Sequence, residues 1–375
     1  MAADVIVLTN DMSVRGGTQG VVAQVALGLN QRRSVRLVTL EGATLAYPEL
    51  RTLPFTSLAP RSPGRRGRTM RLPVQAIRFA SLVARERPRG VVSFLARANL
   101  VNVMARDLTR HRFRSVVSER NFNTRQYANG IEQRALLRAM RLLYPRADHV
   151  VANSGPLADD LHTVFGIPRH RLVVVPNPVD VDRLRTLSAE HFDAPALSDL
   201  PPKWLLYAGR LNEQKNPILL LRAFKRIRKD VCCSLVIAGD GSLRREVNQA
   251  IAALDLSEDV IPLGWVDNPY PLMSRATALV LSSDYEGSPN ALLEAMALGC
   301  PVIATDSPGG SREALHDGEA GILVPPRDEN ALAAAIKELI EDDSLRERLI
   351  ERGRSAALAH RPDRVIESFL RLLER

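Results

Sequence analysis

Two doubly wound α/β domains in tandem, each a parallel sheet covered by helices on both faces, are the architecture that the sequence predicts. Three observations carry that expectation. Short β-branched runs alternate with longer amphipathic stretches along the whole chain, the series restarts after Pro201, and 375 residues exceed what one ordinary core organises.

In chain order, the first series is "VIVL" at Val5, "VRLVTL" at Val35, "VVSF" at Val91, "SVVS" at Ser115, "HVVANS" at His149 and "LVVVP" at Leu172. The second is "WLLYAG" at Trp204, "SLVIAG" at Ser234, "DVIPLG" at Asp259, "ALVLSS" at Ala278, "PVIATD" at Pro301 and "GILVPP" at Gly321. Short strands that are apolar throughout, rather than alternating, belong to sheets buried on both sides. Prolines and polar residues interrupt the alternation between Pro176 and Lys203. The expected division is therefore a domain over 1–180, a linker over 181–202 and a second domain over 203–360. A final helix over 361–375 carries Val365, Ile366, Phe369, Leu370 and Leu373 on one side and is expected to pack back on the first domain. Ligands of such sheets bind beyond the carboxyl ends of the strands, so the default site is the cleft between the domains.

Composition places the chain among ordinary globular proteins, at 45% hydrophobic and 25% charged residues. No apolar stretch approaches the roughly 20 residues of a membrane span, and "MAADVIVLTND" has acids where a signal peptide has a basic region. A cytoplasmic location is the expectation. Cys232, Cys233 and Cys300 form neither a disulfide framework nor a zinc pattern, and all three read as buried small hydrophobes.

The net charge of +9 conceals an asymmetry. Residues 1–177 hold 27 arginines and no lysine against 11 acids, a net +16, whereas the remainder has 24 basic and 31 acidic residues, a net −7. The excess peaks in "RSPGRRGRTMRLPVQAIRFASLVARERPR", residues 61–89. There Val74, Ile77, Leu82 and Val83 fall at near-helical spacing between Arg71, Arg78 and Arg85. Such a segment suits an anionic lipid surface, with Arg65, Arg66, Arg68 and Arg71 as candidate membrane or acceptor contacts. A solvated helix face in an arginine-rich composition is the plainer alternative.

Several segments carry chemistry. Gly16-Gly17 follows the first strand and opens a helix, which lets backbone approach a ligand at a helix N-terminus. The full dinucleotide fingerprint is absent, so a nicotinamide enzyme is not supported. Arg210 and Lys215 lie on the loop after the first strand of the second series, ahead of Pro217. Arginine offers a planar fork and lysine a point charge, a pair that suits a diphosphate. Gly239-Asp240-Gly241 and Gly264-Trp265-Val266 place glycine turns after strands, near a base or ribose if a nucleotide binds there. Gly309-Gly310 precedes Ser311, an expected N-cap.

"EGSPNALLEAMALGCPV", residues 286–302, is the densest segment. Ser288 is the expected N-cap, Pro289 the first helical residue and Gly299 the C-cap. The free first-turn amides of such a helix carry about half a unit of positive charge. Glu286 lies just before them. Glu294 sits on an otherwise apolar helix, where only a polar ligand or solvent accounts for it.

Taken with "GRLNEQKN", "VVANS…VVVPNPVD" and the early Gly-Gly, this segment resembles the family 4 glycosyltransferases: retaining, nucleotide-sugar-dependent enzymes of the GT-B fold. Within that family the likeness is nearest to bacterial enzymes that extend lipid-linked oligosaccharides or exopolysaccharides. The resemblance implies an acceptor-binding first domain and a donor-binding second one, with UDP the expected nucleotide and a hexose or N-acetylhexosamine as the sugar transferred. Arg210 and Lys215 would hold the diphosphate, and Glu286 the sugar hydroxyls. The backbone of Gly287, Ser288, Pro289, Asn290 and Ala291 would contact sugar and phosphate, and Glu294 the ribose. Gly16 and Gly17 would close over the diphosphate, and the base would lie near Gly241, Trp265 and Val266. No cofactor and no metal are expected, because Arg and Lys neutralise the charge in this family. Many members carry a histidine after the fourth strand of the first domain; "VVSERNFN" offers Glu119, Arg120 and Asn121 there instead, as possible contacts to donor sugar or acceptor.

Two rivals remain. An epimerase or phosphorylase would share the architecture, the latter needing pyridoxal phosphate on a lysine. A nucleic-acid-binding protein would explain the +16 half, but aromatic residues are 5% of the chain and no recognition motif accompanies the charge.

Overall fold

The computed structural model describes residues 3–59, 69–126, 130–192, 197 and 200–374. The chain divides into two compact units, one running to Pro178 and taking in the segment from Pro362, the other spanning Val179–Arg361. The first unit is built on seven strands: β1 (Val5–Thr9), β2 (Val35–Thr39), β3 (Phe55–Ser57), β4 (Gly90–Phe94), β5 (Arg114–Glu119), β6 (His149–Ala152) and β7 (Leu172–Val174). Their order is β3-β2-β1-β4-β5-β6-β7, every pair parallel. Strand β3 is the one the sequence pattern missed. It is a three-residue edge strand whose side chains are all half-buried, so it lacks the apolar signature of its neighbours.

The second unit holds β8 (Trp204–Ala208), β9 (Ser234–Ala238), β10 (Val260–Gly264), β11 (Ala278–Leu281), β12 (Val302–Thr305) and β13 (Ile322–Val324). Their order is β10-β9-β8-β11-β12-β13, again wholly parallel. Strands β8, β9, β11 and β12 are buried along their whole length, and their sequences are apolar but for Ser234 at the start of β9 and Thr305 at the end of β12. Helices 217–227, 244–253 and 329–341 share one core with this sheet, and helices 181–188 and 290–298 contribute to a second core.

The stretch expected as a linker supplies the helix Val181–Ser188, capped by the Asp180 carboxylate on Arg183 N at 3.1 Å and packed on helix 290–298 through the second unit. The final helix, Pro362–Glu374, buries Val365, Ile366, Phe369, Leu370 and Leu373 in the first unit, against helix Gly17–Asn30. The Phe369 and Phe94 rings meet at 5.9 Å; full burial of such a side chain contributes about 1.5–3 kcal/mol.

Two expectations are corrected here. Helix Leu72–Glu86 turns Leu72, Ala76, Phe79, Leu82 and Val83 inward but leaves Val74 and Ile77 exposed. Its buried face includes Gln75, whose Nε2 donates to Leu40 O, and Glu86, which accepts from Ala3 N. Those two polar residues blur the apolar stripe. Cys232 is exposed while Cys233 and Cys300 are buried, because adjacent residues leading into β9 point to opposite sides. Arg65, Arg66 and Arg68 lie outside the described residues; Arg71 is exposed.

Candidate functional site

In the second unit the strand order reverses at β8, which has β9 on one side and β11 on the other. Loops leaving the carboxyl ends of β8 and β11 therefore diverge, and a ligand fits the gap between them. Here the structure brings Lys215 and Glu286 together: Lys215 Nζ donates to Glu286 Oε1 at 2.5 Å. Ser283 Oγ donates to the same oxygen at 2.6 Å. Glu286 is buried, and the two donors fix its carboxylate in one orientation.

The loops themselves are braced by polar contacts. Lys215 N bonds Asn212 Oδ1, Ser282 Oγ donates to Asn216 O at 2.8 Å, and Gln214 Nε2 donates to Tyr285 O at 3.0 Å. The β12 loop closes the other side. Glu286 N donates to Pro308 O at 3.0 Å, and a Cβ on Gly309, whose φ is +141°, would lie 1.7 Å from Glu286 O. No other residue fits at 309 while Glu286 keeps its place.

Arg210 sits five residues before Lys215 on the β8 loop and is exposed, with no side-chain partner among the described residues. Its backbone O accepts from the Tyr207 hydroxyl at 2.9 Å. That phenol is held well above its ordinary pKa by burial and by the nearby Glu286 charge, against the opposing pull of Arg210. A buried carboxylate and an exposed guanidinium thus flank one strand end.

Helix Asn290–Leu298 starts one residue later than expected. Pro289 is the N-cap, extended at φ −77° and ψ 106°, and Ser288 precedes it; Gly299 closes the helix in the left-handed conformation at φ +80°. Proline has no N–H, so of Gly287, Ser288, Pro289, Asn290 and Ala291 only Pro289 cannot donate an amide to a ligand. Ser311 is likewise the first helical residue, with Gly310 as cap. Glu294 points elsewhere than Glu286. The Tyr270 hydroxyl donates to its Oε1 at 3.4 Å, and burial lifts its pKa to about 7 against the pull of Tyr270 and Arg183.

Gly241 and Trp265 lie on the loops that follow the neighbouring strands β9 and β10. A Cβ on Gly241 would lie 2.3 Å from Leu211 O, so close packing of the β8 and β9 loops already demands glycine there. Beside it is a cavity of about 670 Å³ lined by Ser242, Arg244, Arg245, Asn248 and Gln249. Trp265 is 49% exposed, its Nε1 donating to Asp267 Oδ1, and Val266 is half-buried.

In the first unit, Gly17 begins the helix 17–30, and Gly16 exchanges hydrogen bonds with the Tyr47 hydroxyl. Glu119 turns inward: its carboxylate accepts from the Tyr144 hydroxyl and from Asn99 Nδ2, and burial raises its pKa. Arg120 is also buried, donating to Asn177 Oδ1 at 2.9 Å and lying 5.1 Å over the Phe94 ring. Asn121 is half-buried on the loop, its Oδ1 accepting from Phe122 N at 2.9 Å. Tyr144 and Asn99 are remote in sequence from Glu119, so nothing in "VVSERNFN" announces this network. Ser283, Tyr207 and Tyr270 were also missed; Ser283 was findable as a polar residue closing an apolar strand three positions before Glu286. Among the described residues, no group of three His, Cys, Asp or Glu is placed to hold a metal.

This geometry coincides with family membership. Residues 189–356 match the family described as Glycosyl transferases group 1, and residues 15–183 match Glycosyltransferase Family 4. The chain belongs to the family 4 glycosyltransferases, enzymes of the GT-B fold. It is 30% identical over 363 residues, 96% of each chain, to the N-acetylgalactosamine-N,N'-diacetylbacillosaminyl-diphospho-undecaprenol 4-alpha-N-acetylgalactosaminyltransferase of Campylobacter jejuni. It is also 30% identical over 235 residues, 62% of this chain and 66% of the relative, to the lipopolysaccharide core biosynthesis glycosyltransferase LpsE of Rhizobium meliloti. Among solved structures, sucrose-phosphate synthase from Thermosynechococcus elongatus superposes with a TM-score of 0.83 at 22% identity, covering 98% of both chains. Anabaena HepE in complex with UDP superposes at 0.79 with 19% identity over 99% of both.

Proposed function

We propose that this glycosyltransferase is a retaining enzyme that moves a hexose or N-acetylhexosamine from UDP to a lipid-linked saccharide at the inner membrane face. The observation that carries the donor half is the Lys215–Glu286–Ser283 constellation at the point where the strand order reverses, with Arg210 on the same loop. The acceptor half draws on the name of the Campylobacter jejuni relative, which acts on a diphospho-undecaprenol saccharide.

In this reading Arg210 and Lys215 bind the diphosphate and stabilise the charge that grows on it as the bond from sugar C1 to phosphate oxygen breaks. The acceptor hydroxyl bonds to C1 on the same face, and its proton passes to the departing phosphate oxygen. Glu286 is not a nucleophile; its carboxylate accepts from sugar hydroxyls and sets the sugar against the diphosphate. Glu294 accepts from the ribose. Two lysine and arginine charges perform the neutralisation, so no cofactor has a part in the proposed step.

A thermal-shift panel of UDP, GDP, ADP and their sugars tests the donor. UDP and one UDP-sugar should give the largest stabilisation; a larger shift with GDP or ADP overturns the choice of base. Transfer to an extract of membrane lipids, with none to free saccharides, is the expected acceptor result, and the reverse would place the acceptor in solution.

A further inference from the structure

Helix Ile131–Leu143 buries only Leu136 and Met140. Its opposite stripe, Ile131, Arg134, Ala135, Arg138, Arg141 and Leu142, is exposed, with Ile131 at 82% and Leu142 at 73%. These positions recur at helical spacing, so they form one continuous face about 16 Å long. Arginines occupy its middle and aliphatic side chains its ends.

Just beyond the helix's C-terminus, Pro145 and Arg146 line a cavity of about 860 Å³ together with Arg106, Arg110, Arg112 and Arg171, with Asp107 the one acid among its lining residues. Three of these arginines are braced. Arg106 holds Asp148 at 2.8 Å and the Arg146 carbonyl, Arg146 holds Asp107 at 3.1 Å, and Arg171 holds the Ala147 carbonyl. Arg110 and Arg112 are exposed and have no side-chain partner among the described residues. Leu108, 57% exposed, stands between them and Asp107. The neighbouring helix 96–108 packs in turn on helix 72–86, which exposes Val74 and Ile77.

We infer that this surface, the exposed stripe of helix 131–143, on which Arg141 Nε also donates to Val164 O at 3.2 Å, together with the five-arginine cavity lined by Arg146 just after it, docks the first unit on an anionic phospholipid membrane. A helix with cations along its free face and aliphatic anchors at both ends has the pattern of one lying in the plane of a bilayer interface. The arginines meet lipid phosphates, whose negative surface potential they complement, and Ile131, Leu108 and Leu142 enter the acyl boundary. A nucleic acid fits less well, because the exposed apolar groups here are aliphatic and offer no ring on which a base would stack. The inference rests on the membrane-linked acceptor proposed above and assigns the contact to helix 131–143, whose Glu132 Oε1 accepts from Thr69 N at 2.8 Å.

The test is co-sedimentation of the full chain with vesicles of phosphatidylcholine alone and of phosphatidylcholine mixed with the anionic lipid phosphatidylglycerol. Wild type should bind the anionic vesicles and leave the neutral ones. The variant Arg110→Glu/Arg112→Glu/Leu142→Ser should bind them at least tenfold more weakly while its thermal shift with UDP stays unchanged, showing an intact fold and donor site. A second variant, Arg134→Ser/Arg138→Ser, should weaken binding in the same direction. Undiminished binding by both variants overturns the surface while leaving membrane-linked acceptor use intact. Failure of wild type to sediment with anionic vesicles overturns the docking itself, and a normal UDP shift then leaves the transferase reading standing. Release by millimolar inorganic phosphate, or preference for duplex DNA over vesicles, would make the cavity a site for free phosphate or for nucleic acid and overturn it as well.

Discussion

Lys215 Nζ and Glu286 Oε1 lie 2.5 Å apart and join the loop after β8 to the loop after β11. The pair is nearly out of solvent, with side-chain exposures of 14% and 6%. In the proposed function the two groups assigned to the diphosphate and the sugar therefore also hold each other.

Lys215→Ala and Arg210→Ala should each lower turnover at least tenfold, since losing one charged hydrogen bond costs about 1.5–3 kcal/mol. Their effects on stability should differ. Removing Lys215 leaves the buried Glu286 carboxylate without its cation, at about 3–5 kcal/mol, whereas Arg210 is exposed and its loss should leave the urea midpoint unchanged. Equal midpoints for the two variants would contradict the pairing.

Glu294 provides a pH signature. Its folded pKa of about 7 lies above its ordinary value of 4.5 because burial disfavours the charged form. The folded state thus binds the extra proton between those values, and this contribution to stability is present below pH 4.5 and lost as pH rises through 7. In the proposed function ribose hydroxyls donate to the carboxylate form, so UDP affinity measured by calorimetry should rise from pH 6 to pH 8. Glu294→Gln should flatten that rise.

Gly309→Ala tests the backbone contact under Glu286. The added Cβ would fall 1.7 Å from Glu286 O in a conformation that L side chains rarely adopt. Backbone strain alone costs about 1–3 kcal/mol, so a lower urea midpoint and a loss of donor binding should appear together.

Tyr144→Phe addresses the buried network of the first unit. It removes the hydroxyl that donates to Glu119 and leaves a buried carboxylate less satisfied, an effect of about 1–3 kcal/mol. Donor affinity should hold, because Glu119 faces the interior of its own unit.

Twelve of the thirteen strands were legible because each lies in a run rich in β-branched and aliphatic residues, even where, as in β7 and β13, it is short and partly exposed; β3, Phe55-Thr56-Ser57, has two polar residues of three and no such run. Glu286, Lys215 and Glu294 stand out in the sequence because charged residues at strand ends and on an apolar helix need a reason, and the structure pairs the first two and sets Glu294 against the Tyr270 hydroxyl. Glu119 and Arg120 read as loop charges and are interior. Their partners Tyr144, Asn99 and Asn177 come from other elements, and local sequence does not encode such tertiary hydrogen bonds. Pro289 displaced Ser288 as N-cap because its ψ of 106° is extended, although proline is also at home one position further in.

The division of labour between sugar and diphosphate is tested most directly by titrating UDP and the stabilising UDP-sugar into Glu286→Gln. The Gln side chain keeps the size and one carbonyl oxygen of Glu286 but not its charge. UDP should bind within about twofold of wild type, under 0.5 kcal/mol, and the UDP-sugar should lose at least tenfold. An equal loss for both ligands would contradict the assignment of Glu286 to the sugar.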